Sequence, residues 1–301
     1  MPPPLISVIL GTYNAEKHID RALQCVFQQT FKDYEIIVVD DASRDKTLAL
    51  LEAHGDRIRI VRRTRNSATC ELPRYQGVKE AKGMYCAFLD ADDLWEPQFL
   101  ERTIQFLQLH PDIPLVHTYV QVIDGEDRVL RIRHEGGIPQ ETQIAPDLLS
   151  HCFITISAVV VRRQVWLEAV AEEEITDFGM DLDFFLSIAK RYPIGFIPEV
   201  LASYRRSSSS ISVQKWKRIP RNVITLERLF HNGSWKGISS RQEMKHILLE
   251  AYIENAEYSR PKHVPFRTLW FVARGLRFKP WCWTLWKNGL ASLLDSLMPR
   301  E

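Results

Sequence analysis

Residues 5–41 read LISVILGTYNAEKHIDRALQCVFQQTFKDYEIIVVDD. An apolar run, Leu5–Leu10, ends in Gly11-Thr12-Tyr13-Asn14. Next comes a segment with Ile19, Leu23, Val26 and Phe27 on one helical face, then a second apolar run, Tyr34–Val39, closing on Asp40-Asp41. Short continuous apolar runs belong to strands covered on both faces, and a helix between two of them makes a right-handed parallel crossover. The beat continues through a helical 44–54, a run at Ile58–Val61, a helical 72–82 and a run at Met84–Leu89 that meets Asp90. The first 110 residues are therefore expected to build a parallel α/β sheet.

Beyond residue 110 the pattern changes. Val116–Ile123 and Arg128–Arg133 flank Asp124-Gly125, a hairpin signal. Ile154–Val161 reads as a strand, 181–191 as an amphipathic helix, Ile194–Ile197 and Val200–Tyr204 as two short strands, and Ser207–Ser210 as a loop. Residues 215–301 read as mostly helical and hold six of the eight tryptophans. The expectation is a mixed, mostly parallel sheet flanked by helices over 1–212, followed by a helical extension over 213–301.

Composition removes several function classes. Hydrophobic residues at 45% and charged residues at 26% exclude a disordered or coiled-coil chain. With 39 basic against 38 acidic residues there is no overall basic field for duplex nucleic acid, and no nucleic-acid partner is expected. Cys25, Cys70, Cys86, Cys152 and Cys282 form no CxxC pair and are expected as free thiols in a reducing compartment. The start, MPPPLISVIL, lacks the basic region of a signal peptide, and no apolar run reaches about 18 residues. The reading is cytoplasmic, with a peripheral position at the inner face of a membrane left open.

In open parallel sheets ligands bind beyond the carboxyl ends of the strands. Three such ends here carry polar clusters: Thr12-Tyr13-Asn14, Asp40-Asp41-Ala42-Ser43 and Asp90-Ala91-Asp92-Asp93. Carboxylates that converge repel one another unless a hard divalent cation such as Mg²⁺ or Mn²⁺ lies between them. The plainer alternative is that each Asp caps the helix that follows. His18, His54, His110 and His117 have no partner at metal-ligand spacing, and neither GxGxxG nor GxxxxGK[ST] occurs.

The segments SVILGTYNAEKHIDRALQCVFQQTFKDYEIIVVDDASRDKT (7–47), PRYQGVKEAKGMYCAFLDADDLWEP (73–97), GMDLDFFLSIAKRY (179–192) and SYRRSSSSIS (203–212) stand in order along the chain. Through them, over roughly residues 5–212, the chain resembles the family 2 glycosyltransferases, which have the GT-A fold. The resemblance implies transfer of a sugar, with inversion, from a nucleotide-sugar such as a UDP-sugar to a glycan or lipid-linked acceptor in bacterial surface polysaccharide synthesis. It assigns Thr12, Tyr13 and Asn14 to the base and ribose, and Asp40, with Asp41 beside it, to the uracil N–H. Arg74 then helps hold the nucleotide, although Tyr75 stands where the family often has Asn. Asp90-Ala91-Asp92 matches the family's DXD motif, with Asp92 ligating Mn²⁺ or Mg²⁺ and Asp90 near the ribose or the metal. Asp181 matches the catalytic base, although Met180 replaces the usual Glu. Asp93 is expected to cap the next helix, with Pro97 in its first turn.

Two other readings compete. A nucleotidyltransferase that makes the sugar donor would need a Gly-rich phosphate loop after the first strand, and Gly11–Asn14 is not one. A non-catalytic nucleotide-sugar-binding protein would not need Asp40, Asp90, Asp92 and Asp181 together. In the tail, residues 261–301 carry seven Lys/Arg, two Asp/Glu and Trp270, Trp281, Trp283 and Trp286. That composition fits either contact with a membrane surface or a helical pair with tryptophan in its core. Arg205, Arg206, Lys215, Lys217 and Arg218 form a second basic stretch, read either as a loop that closes over a diphosphate or as a solvated face.

Overall fold

The computed structural model describes residues 2–133, 143–170, 180–206, 221–259 and 265–297. Two compact units result, Met1–Ser207 and Ser208–Glu301. The expected break after residue 212 and the loop Ser207–Ser210 lie outside the described residues.

The opening stretch folds as read. β1 (Ile6–Thr12), α1 (Ile19–Phe27) and β2 (Tyr34–Asp40) make the first crossover, and β1 and β2 pair in parallel from Ile6↔Tyr34 to Thr12↔Asp40. Ile19, Leu23 and Val26 are fully buried on the inner face of α1. Burying each such side chain stabilises the unit by roughly 1.5–3 kcal/mol. Ser7 is the polar member of an otherwise apolar run, and it is satisfied. Its hydroxyl donates to Glu35 Oε1 at 2.6 Å and accepts the Gly83 amide at 2.9 Å.

α2 (Thr47–Glu52), β3 (Arg59–Arg62), α3 (Glu71–Glu80) and β4 (Tyr85–Phe88) continue the parallel half. β5 is only Leu94–Trp95, and α4 spans Phe99–Leu109. β6 (Leu115–Ile123) and β7 (Val129–Arg133) form the hairpin announced by Asp124-Gly125. α5 (Ala145–Ser150) follows. β8 (Val159–Arg162), α6 (Arg163–Ala169), α7 (Met180–Ala189) and β9 (Ile194–Arg205) complete the unit.

Among the described residues the strand order is β3-β2-β1-β4-β8-β6-β9-β5, with β7 on β6. β8 is antiparallel to both β4 and β6, whereas β6 and β9 are parallel. The carboxyl ends of β1, β2, β4, β6 and β9 therefore share one edge. The chain leaving β4 must cross that edge to reach β5, which pairs with β9 at Leu94↔Ser203. Asp90–Asp93 is this crossing segment.

Two local readings change. The runs Ile194–Ile197 and Val200–Tyr204 are one strand, β9, whose register against β6 shifts around Tyr119. Ile154–Val161 is strand only from Val159, because Ile156–Ala158 forms a 3₁₀ turn first.

The second unit contains α8 (Arg221–Asn232), α9 (Arg241–Ser259), α10 (Pro265–Leu276) and α11 (Trp283–Leu297). Tyr252, Phe271 and Leu285 are buried in it. Glu227 joins α8 to both neighbours, accepting from Arg274 Nη1 at 2.7 Å and from the Tyr252 hydroxyl.

Candidate active site

Parallel pairing places Thr12 at the end of β1 directly beside Asp40 at the end of β2. Asp40 Oδ2 accepts the Ser43 amide at 3.2 Å. Asp40 Oδ1 and Thr12 Oγ1 are buried and have no hydrogen-bond partner among the described residues. Buried polar atoms of this kind are rarely left alone, so a neighbouring acceptor and donor without partners mark a place for a ligand. Asn14 sits at φ +50° and its side chain accepts the Arg44 amide at 2.8 Å, which ties the first strand end to the second. Asn tolerates that backbone region better than most residues. Tyr13 is exposed beside it.

Asp41 has a different task from its neighbour. Its oxygens accept Arg63 Nε at 2.7 Å, Asn66 Nδ2 at 3.0 Å, and the Ser67 amide and hydroxyl at 2.8 and 2.7 Å. The carboxylate thereby holds the loop before α3.

Arg74 stands on α3, buried, between two segments far apart in sequence. Its Nη2 donates to Asp90 Oδ1 at 2.6 Å and its Nη1 to Asp181 Oδ1 at 3.4 Å. Burial works against its charge, but Asp90 and Asp181 outweigh that and hold the guanidinium above its ordinary range. The third strand end and the start of α7 thus meet on one cation. Glu71, Arg74, Trp166, Val170, Asp181 and Phe184 line a recess there. The Trp166 ring packs 4.1 Å from that of Phe184 and 4.3 Å from that of Phe88.

Asp90, Asp92 and Asp93 divide their work. The Asp90 amide donates to Ser157 Oγ at 3.1 Å. Burial, and then the charge of Asp90, push the Asp92 carboxyl up to about 6. A carboxylate whose proton affinity is raised by burial beside a second carboxylate gains from a cation placed against it. Among the described residues no group of three or more His, Cys, Asp or Glu side chains gathers around a common point. Mg²⁺ and Mn²⁺ do not need one, since one or two carboxylates with phosphate oxygens and water complete their shell. The donor set of Asp90 and Asp92 therefore fits such an ion.

Asp93 is not the expected helix cap. It is buried, accepts Ser157 Oγ at 2.6 Å and the Arg205 amide at 2.9 Å, and burial drives its carboxyl well above the usual range. α4 begins only at Phe99, with Gln98 before it, so Pro97 precedes the helix instead of entering its first turn. Arg205 is likewise neither a mobile nor a solvated cation. It is buried at the end of β9, where Nε donates to the Asp92 carbonyl and Nη1 to the Asp124 carbonyl, both at 2.8 Å, and the guanidinium pairs with Asp127. Lys215, Lys217 and Arg218 lie outside the described residues.

Asp181 lies in the first turn of α7. Asp183, two residues on, acts electrostatically on Lys190. The site residues that sequence reasoning passed over are Glu71, Trp166, Ser157 and, as a buried anchor, Arg205. No spacing marks them, because each acquires its role only through contact with a distant segment.

Residues 7–170 match the family model described as "Glycosyl transferase family 2". The chain belongs to glycosyl transferase family 2. Members similar to it include the putative teichuronic acid biosynthesis glycosyltransferase TuaG of Bacillus subtilis, 28% identical over 77% of this chain and 92% of that protein. Another is the UDP-Glc:alpha-D-GlcNAc-diphosphoundecaprenol beta-1,3-glucosyltransferase WfgD of Escherichia coli, 30% identical over 72% of this chain and 83% of that one. Among solved structures, S. aureus TarS 1–349 in complex with UDP-GlcNAc superposes with a TM-score of 0.61 at 17% identity, covering 98% of this chain and 89% of that one. The mannosyltransferase PcManGT of Pyrobaculum calidifontis, in complex with GDP-Man and Mn²⁺, gives 0.56 at 18% identity, covering 99% and 88%. The family 2 sheet of this chain is thus of the GT-A type, and the enzyme is a glycosyltransferase.

Proposed function

We propose that this glycosyltransferase moves a sugar from a UDP-sugar to a hydroxyl of a lipid-linked glycan, with inversion and with Mn²⁺ or Mg²⁺, in the assembly of a bacterial surface polysaccharide. The observation that carries the reading is Arg74, which lines the recess and bonds both Asp90, here read as a donor-side residue, and Asp181, here read as an acceptor-side one. The unpartnered Asp40 Oδ1 and Thr12 Oγ1 support a nucleotide base at the ends of β1 and β2. An ionised carboxylate only accepts hydrogen bonds, which matches the ring N–H of uracil. The names of WfgD and TuaG, which mention a diphosphoundecaprenol-linked acceptor and teichuronic acid, support the acceptor class. Contact of residues 261–301 with the bilayer that holds such an acceptor belongs to the same reading.

Asp92, with Asp90, would hold the divalent cation, which supplies charge neutralisation at the leaving diphosphate. Arg74 keeps Asp90 oriented and adds a fixed positive charge beside that diphosphate. Asp181 accepts the proton of the acceptor hydroxyl as that oxygen bonds to the anomeric carbon and the bond to the diphosphate breaks. Phe184 and Trp166 give the recess an apolar wall suited to a sugar ring and keep water from competing with the acceptor.

Calorimetry of UDP with Mn²⁺ and with chelator tests the donor half. UDP is expected to bind more tightly with the metal, and Asp92→Ala is expected to abolish the difference. Equal affinity in both conditions for the unmodified enzyme would overturn the metal-dependent reading.

A further inference from the structure

The four tail tryptophans do not share one environment. Trp270 packs within the second unit, 5.0 Å from the Phe271 ring and 4.3 Å from the Arg274 guanidinium. Trp281, Trp283 and Trp286 are 91%, 74% and 47% exposed. On α11 the buried positions among residues 283–292 are Leu285, Asn288, Gly289 and Ser292, with Leu285 close to Gly275 and Gly289 close to Val272. The opposite side presents Trp283, Trp286, Lys287 and Leu290 at the same three-, four- and seven-residue spacing. The inner face therefore includes Asn288 and Ser292, while three of the four outer residues are large and apolar, two tryptophans and a leucine beside Lys287. A helix whose outer side meets only water has the reverse arrangement. The α10–α11 corner extends this surface with Arg277, Lys279, Pro280 and Trp281, all exposed, and Trp286 Nε1 fastens it by donating to the Pro280 carbonyl at 2.7 Å.

Charge selects the partner. No Asp or Glu occurs between Glu257 and Asp295, a span that holds seven Lys/Arg. Arg277, Lys279 and Lys287 stand at or beside the tryptophans. Protein interfaces favour tryptophan but are depleted in lysine, whereas the headgroup level of a bilayer favours both. Tryptophan lays its ring in the acyl boundary with the N–H outward, and lysine snorkels to the phosphates. No helix among the described residues is long and apolar enough to cross a membrane, so the contact is one of docking.

We propose that the α10–α11 corner and the outer face of α11 form a docking surface for an anionic lipid bilayer. Trp281, Trp283, Trp286 and Leu290 enter the boundary between headgroups and acyl chains, and Arg277, Lys279 and Lys287 pair with acidic headgroups. The proposal rests on the reading of a membrane-held acceptor, but it is measured without sugar transfer, so either can fail alone. Co-sedimentation of the full chain with phosphatidylcholine vesicles, with and without phosphatidylglycerol, decides it. The chain is expected to sediment with the anionic vesicles at low salt and to be released as salt rises. Lys279→Gln with Lys287→Gln should weaken that binding about 30-fold, from about 1 kcal/mol per basic residue. Trp281→Ser with Trp283→Ser should remove it while leaving transfer to a water-soluble acceptor unchanged. A full chain that stays in the supernatant with anionic vesicles would overturn the proposal, as would variants that sediment like the original. Self-association that the tryptophan variants abolish, with no vesicle binding, would assign the face to a second copy and overturn it equally.

Discussion

At the scale of single residues, Asp181 is where the proposed chemistry is most exposed to test. Its neighbour Asp183 is two positions away, about 200° around the helix, so the pair cannot both face Arg74. The observed contact goes to Asp181. Asp181→Asn keeps the shape but removes the proton acceptor, and sugar transfer should fall by roughly 10²–10⁴-fold, the usual worth of a general base. Asp183→Asn should cost far less. UDP binding measured on both proteins serves as the control for an intact donor site. Near-normal transfer by Asp181→Asn with a dead Asp183→Asn would reverse the assignment. The sequence points to Asp40, Asp90 and Asp92 at strand ends and to Arg74 and Asp181 within recognisable helical segments, and the structure brings Arg74, Asp90 and Asp181 into contact. Asp41 shows the limit. In sequence it is the twin of Asp40, yet only the path of residues 63–67 makes it a loop anchor. Asp93 reads locally as a cap for the same reason, since its partners Ser157 and Arg205 are 64 and 112 residues away.

At the scale of elements, α3 matters because it carries Glu71 and Arg74 to the recess. Its seat on the sheet is set by Gly77, where an added Cβ would lie 2.5 Å from Ile9 Cγ2 on β1. Alanine favours a helix by about 1 kcal/mol over glycine. Overpacking a tight seat costs about 1–3 kcal/mol. The packing term is the larger here, because β1 is a central strand with β2 and β4 on its flanks and cannot shift alone. Gly77→Ala is thus expected to lower the unfolding midpoint and, by lifting α3, to weaken UDP binding through Arg74. Combining it with Ile9→Ala tests the cause. The double variant should lose less stability than the sum of the two single losses, and strict additivity would show that the contact is not what resists the methyl group. Elements such as α1, α3 and the β6–β7 hairpin were readable because period and turn residues are local signals. The two-residue β5 was not, since Leu94–Trp95 is too short to have a period and is a strand only because β9 lies beside it.

At the scale of the whole catalytic unit, the order β4-β8-β6-β9-β5 could not be read from the chain, because hydrophobic runs identify strands without naming their partners. That order is what draws Asp90–Asp93 across the shared edge of the sheet, and Arg205 is what fixes it there. One buried guanidinium and its own amide bind four chain positions: the Asp92 carbonyl, the Asp93 carboxylate, the Asp124 carbonyl and the Asp127 carboxylate. Arg205→Met keeps the length and the amide bond to Asp93 but removes the charge and both carbonyl bonds. Leaving the Asp92 and Asp124 carbonyls without that donor costs about 1–3 kcal/mol each, whereas the partly exposed Asp127 keeps its pair with Arg21 at 2.8 Å and adds little. Denaturant unfolding of the variant should show a loss of that order. Arg205→Lys should recover only part of it, since a single ammonium cannot reproduce the planar fork that reaches the two carbonyls and Asp127 together. A purely structural anchor would stop there. Because Arg205 holds the backbone of Asp92, the folded variant should also lose part of the Mn²⁺-dependent gain in UDP affinity, while metal-free UDP binding at Thr12 and Asp40 stays close to that of the unmodified enzyme. A variant that loses stability yet keeps the full metal-dependent gain would separate Arg205 from the placement of Asp92.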